Sequence, residues 1–120
     1  MNKVCITKDN LIIIHPWGDL DHHVIEGIRN EIDEEITSKR IYRLAFDFRD
    51  VGFMDSSGIG LIMGRYKKIR GAGGEIFVCN LNCSMQRIFK LSGLFRITSH
   101  SFEIDRIVKE ATYEQDKNGI

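Results

Sequence analysis

The chain has 120 residues, the size of one domain, and its 17 Lys and Arg balance its 17 Asp and Glu, so the formal net charge is zero. That balance leaves no whole-domain basic footprint for nucleic acid, so no nucleic-acid partner is expected. Apolar residues make up 42% and charged residues 28%, a composition that buries a core and argues against disorder, while the longest apolar run, Leu11-Ile12-Ile13-Ile14, suits one buried strand and falls far short of the roughly 20 residues of a membrane span.

Val4 to Thr7 and Leu11 to Trp17 read as two strands around the polar turn Lys8-Asp9-Asn10, joined too tightly for a crossover and therefore antiparallel. Asp21 precedes a stripe of Ile25, Ile28, Ile32 and Ile36 at helical spacing, with a wet face of Glu26, Arg29, Glu31, Asp33, Glu34 and Glu35. Leu44, Phe46 and Phe48 alternate with Ala45, Asp47 and Arg49 and give a strand, and Arg49 to Gly52 reads as punctuation. Ile59, Ile62, Tyr66 and Ile69 predict a second helix with Gly71 as its left-handed stop. Ile76 to Cys79 predicts a short strand. A third helix, carrying Met85, Ile88 and Phe89, is expected between Asn82 as N-cap and Gly93 as stop. Leu94 to Ile97 reads as a last strand, and Ile104, Ile107, Val108 and Ala111 as a fourth helix. The order β-β-α-β-α-β-α-β-α predicts an α/β fold, a mixed and mostly parallel sheet with packed helices. One domain is expected over residues 1–112, with a polar, fraying tail over 113–120. The opening Met1-Asn2-Lys3-Val4-Cys5 has no apolar leader, and three cysteines without a framework spacing fit reduced thiols, so a cytoplasmic protein is expected.

The most informative stretch is Phe53-Met54-Asp55-Ser56-Ser57-Gly58-Ile59-Gly60, which follows a strand and opens a helix. Short oxygen-bearing side chains there have a plain structural use, since they accept hydrogen bonds from the free N–H groups of the first turn. If Asp55 or Ser56 caps, Ser57 stands in the first turn, open to a kinase. A phosphate adds about −1.5 to −2 charges at neutral pH, which a helix N-terminus tolerates but an acidic partner surface does not. The residues alone leave the choice between Ser56 and Ser57 open. A hydrolase elbow needs Gly two residues before and after the serine. Neither serine meets that, and the sequence ties no histidine to either. Gly58, Gly60 and Gly64 form G-x-G-x-x-x-G, a spacing wrong for dinucleotides, and Gly60 and Gly64 are explained more simply by close approach of the helix to a sheet or partner. His22 and His23 are adjacent, and adjacent helical side chains point about 100° apart, so they read as surface residues rather than metal ligands. Cys79 and Cys83 likewise complete no ligand set. Arg65, Lys67, Lys68 and Arg70 give the second helix a basic side.

The chain resembles the anti-sigma factor antagonists, whose fold is the STAS domain. The resemblance rests on Gly18-Asp19-Leu20-Asp21-His22-His23, Phe53 through Gly60, Gly64-Arg65-Tyr66-Lys67, Gly73-Gly74-Glu75, Val78-Cys79 and Ser92-Gly93-Leu94-Phe95. The Asp-His-His and Gly-Arg-Tyr-Lys segments narrow it toward the sporulation branch, which acts on the anti-sigma F factor. A departure is Asn82-Cys83-Ser84, where the family pattern has a proline. The resemblance implies a non-enzymatic protein without cofactor or metal, a monomer when free. Its unphosphorylated form would bind a dimeric, ATP/ADP-binding anti-sigma factor that is also a serine kinase, so freeing the sigma factor. That kinase would phosphorylate Ser57 and end the binding, and a PP2C-type phosphatase would restore it. Asp21, Asp55, Ser56, Ser57 and Gly58 would meet the partner. A STAS module that senses a nucleotide or small ligand is the alternative.

Overall fold

The computed structural model describes residues 2–7 and 9–118, with side chains through 111; Lys8 of the first turn and residues 119–120 of the expected tail lie outside the described residues. Among these residues the elements run β1 (Asn2–Ile6), β2 (Ile12–Leu20), α1 (His22–Lys39), β3 (Arg43–Asp47), β4 (Asp50–Met54), α2 (Ser56–Ile69), β5 (Glu75–Cys79), α3 (Cys83–Ser92) and α4 (Phe102–Asn118). The sheet order is β1-β2-β3-β5, with β4 paired to β2. β1 is antiparallel to β2, Val4 facing Ile14, whereas β3 runs parallel to β2 and β5 parallel to β3. No described helix is long and apolar enough to cross a membrane.

The run Leu11 to Ile14 is apolar at every position because helices cover the sheet on both faces. Ile12, Ile14, Leu44, Phe46, Ile76 and Val78 share a core with Ile25, Ile28, Ile32 and Ile36 of α1, Leu61 and Ile62 of α2 and Met85 and Phe89 of α3. The alternate residues Leu11, Ile13, Ala45, Phe77 and Cys79 pack with Ile104 and Val108 of α4. The predicted α1 stripe and the expected antiparallel first pair are therefore as observed.

Three expectations are corrected. Residues Leu94 to Arg96 form a 3-10 turn rather than a strand, because Gly93 turns the chain at φ 81° and Leu94 drops fully into the core. The chain reaches the sheet only at Ser99, which bridges Phe77. Conversely, β4 lies in the segment that read as punctuation. The Asp47 side chain accepts from the Arg49 amide at 3.1 Å, turning the chain, and Asp50 to Met54 then continues as a strand along Trp17 to Leu20 of β2. The stop after α2 is not Gly71: Arg70 to Ala72 tighten into a 3-10 turn, and Gly73 takes the left-handed conformation at φ 74°. The fourth helix also passes its last predicted apolar residue, Ala111, and its backbone is helical to Asn118.

Cys79 sits against α4, and its burial, with the carboxylates of Asp105 and Asp47, pushes the thiol from 9.0 up to about 12. A thiol held protonated in the native state stabilises the fold fully below pH 9, and that contribution is lost as pH rises from 9 toward 12. Urea midpoints measured from neutral to alkaline pH are expected to fall less steeply in Cys79→Ala than in the parent. A native-state maleimide reaction should label exposed Cys83 and spare Cys79.

Candidate functional site

The parallel pairing of β2 with β4 places Leu20 opposite Met54, so the next residue of each strand begins a helix at the same edge. Asp21 caps α1, its Oδ1 accepting from the Val24 amide at 3.0 Å. Asp55 caps α2, its Oδ1 accepting from the Ser57 amide at 2.8 Å. The Asp55 amide in turn donates to the Leu20 carbonyl at 3.4 Å and ties the two caps together. Two helix N-termini thus open side by side, each with the partial positive charge of its unsatisfied amides.

The serines differ in setting. Ser56 is exposed and Ser57 half-buried. The Ser57 hydroxyl lies 3.4 Å from Nδ1 of His22, the first residue of α1. The sequence reading missed this contact because it spans 35 residues and depends on β4, the strand it did not foresee. Gly58 is buried beneath the site. A β-carbon there would fall 2.2 Å from both Cγ and Sδ of Met54, itself 2% exposed, so any other residue requires Met54 or the start of α2 to shift. Gly60 and Gly64 have nothing within 4 Å of such a carbon, which overturns close approach to the sheet as their explanation and leaves them facing open space. All three glycines lie within α2 rather than in the preceding turn, where a dinucleotide loop would hold its phosphates. Phe53, 55% exposed on β4, adds an apolar side chain beside this edge.

The basic side of α2 is partly consumed within the fold. Arg65 is buried and approaches Asp33 of α1 at 3.1 Å, a charge pairing without an aligned N–H, and Lys68 reaches the same carboxylate at 3.3 Å. Burial lowers the Arg65 guanidinium from its usual value, against the pull of Asp33. Lys67 and Arg70 remain exposed. Among the described residues no group of three or more His, Cys, Asp or Glu is arranged to hold a metal. Asn82 caps α3 by accepting from the Met85 amide at 2.9 Å, so asparagine starts the helix as its position ahead of the run predicts.

Residues 2–111 match the sequence profile of the STAS domain. The chain belongs to the STAS family. Within that family it is 40% identical over 87 residues to an anti-sigma F factor antagonist of Paenibacillus polymyxa, covering 72% of this chain and 74% of that one. It is 37% identical over 87 residues to an anti-sigma-B factor antagonist of Bacillus subtilis, covering 72% and 78%. Its STAS fold is similar to the anti-sigma factor antagonist SpoIIAA in its unphosphorylated form, at TM-score 0.73 and 26% identity over 89% of this chain and 97% of that one. The Bacillus cell fate determinant SpoIIAA in the phosphorylated form gives 0.72 and 28%, over 91% and 98%.

Proposed function

We propose that this STAS domain is an anti-sigma factor antagonist of the sigma F type, bound to its partner when Ser57 is bare and released when Ser57 carries a phosphate. The observation that carries the reading is the position of that hydroxyl, in the first turn of α2 and against the start of α1, on an edge where Asp21, Ser56 and Phe53 are also exposed. The similarity to antagonists at 40% and 37% identity supports the partner class, and a nearly equal likeness to the bare and phosphorylated forms of SpoIIAA suits a switch that leaves the fold unchanged. The partner is an anti-sigma factor that is also a serine kinase using ATP, and a PP2C-type phosphatase reverses the modification. The chain itself acts as ligand and substrate rather than as catalyst. Asp21, Asp55, Ser56 and Ser57 form the docking edge, and Gly58 serves it from below by letting α2 close on Met54.

The test is a kinase reaction with the cognate anti-sigma factor and ATP, followed by mass-spectrometric mapping in the parent, Ser56→Ala and Ser57→Ala chains. Modification is expected in the first two and lost in Ser57→Ala. Full modification of Ser57→Ala overturns the assignment.

A further inference from the structure

His22 and His23 open α1 as consecutive residues, yet the fold gives His22 a distinct neighbour. Its Nδ1 stands 3.4 Å from the Ser57 Oγ, within hydrogen-bond reach, with the direction of the bond set by the ring's tautomer. We propose that His22 is the positioning residue for a phosphate on Ser57, its protonated ring pairing with the phosphoryl oxygens across the junction of α1 and α2. The proposal rests on the reading of Ser57 as the modified residue.

The chemistry follows from the exchange of groups. A bare serine hydroxyl can donate or accept, so it suits Nδ1 with or without a proton. A phosphoserine offers only acceptor oxygens on that side, so Nδ1 must then carry a proton. A dianion beside the ring favours the form with both nitrogens protonated, since an opposite charge within about 4–6 Å shifts a side-chain pKa by about 1–3 units toward the charged form. The other ionisable groups in the segments that form this junction are Asp19 near the end of β2, Asp21, His23 and Glu26 at the start of α1, and Asp55, the cap of α2. All of them are common to the bare and modified chains, so a difference between the two forms reports the phosphate alone. The ring is exposed and the contact lies at the surface, so the pairing requires no rearrangement of the core.

The experiment installs phosphoserine at position 57 during translation, which makes it independent of any kinase. The four histidine rings are then followed by NMR through a pH titration in the bare and phosphoserine chains, and the phosphate by its phosphorus resonance. The His22 midpoint is expected to rise by about one unit in the phosphoserine chain, in line with an opposite charge at close range. The midpoint of His100, whose ring pairs with Asp105 in the first turn of α4, should stay in place. The second ionisation of the phosphate should move upward in His22→Gln, because a pairing cation has been removed. Equal His22 midpoints in the two chains, or a phosphate midpoint indifferent to His22→Gln, overturn the pairing. Kinase mapping that puts the phosphate on another residue overturns the Ser57 reading instead, and leaves this measurement standing on its own.

Discussion

Ser57→Asp is expected to bind the anti-sigma factor about tenfold more weakly than Ser57→Ala, and the phosphorylated chain about a hundredfold or more, in proportion to the charge each places on the docking edge. The edge already carries Asp21 and Asp55, whose charges are partly offset by the helix N-termini they cap. Within the free domain a further anion at Ser57 meets the same amides, so the fold tolerates it. In the complex it must shed its water against the partner, and like charges forced together across an interface cost several kcal/mol. A hundredfold loss needs only about 2.8 kcal/mol, within that range. Ser57→Ala removes a hydroxyl and the contact to His22 but adds no charge, so it should bind nearly as the bare parent does. Calorimetric titration of the three variants at two salt concentrations checks this, because an electrostatic penalty shrinks as the Debye length falls from about 10 Å at 0.1 M toward 3 Å at 1 M. Equal affinities for Ser57→Ala and Ser57→Asp would remove the charge mechanism, and a large drop in thermal stability on phosphorylation would replace it with unfolding.

Much of this arrangement is legible in the sequence because it is local. The Ile25, Ile28, Ile32 and Ile36 stripe is a repeat of three and four residues, and Asp21 and Asn82 are short acceptors just ahead of helical runs, so their capping follows from the chain alone, whereas the choice of Asp55 over Ser56 as the cap of α2 needs the structure. The parts that escape depend on pairing at a distance. Asp50 to Met54 has Gly52 at its centre and only Val51 and Met54 buried, so it lacks a clean alternation; it becomes a strand because β2 extends far enough to pair with it. Leu94 to Ile97 has the composition of a strand, yet Gly93 and the burial of Leu94 turn it inward before it can join a ladder. Once β4 is missed, the registration of Leu20 with Met54 is missed too, and with it the meeting of His22 and Ser57. The same distance hides the fate of Arg65, which reads as surface charge on α2 and is instead consumed by Asp33 on α1.

Gly58→Ala should destabilise the domain by about 1–3 kcal/mol, the usual cost of forcing an extra carbon into a packed site. The new methyl would overlap Cγ and Sδ of Met54 at 2.2 Å, and Met54 is only 2% exposed, so its side chain must repack within the core. Either α2 lifts from β4 or Met54 leaves its rotamer. Met54→Ala opens the space at a cost of about 2–5 kcal/mol for the cavity. The double variant should then be more stable than the sum of the two losses implies, by a coupling of about 0.5–3 kcal/mol, because the added methyl occupies part of the vacated volume. Denaturant unfolding of the four chains measures that coupling directly. Strict additivity would mean that the glycine is not held in place by Met54. The cycle also separates scaffold from surface. If Gly58 acts only by seating α2, the folded double variant should bind the partner as well as folded Met54→Ala does. If it meets the partner directly, the double variant binds more weakly than Met54→Ala.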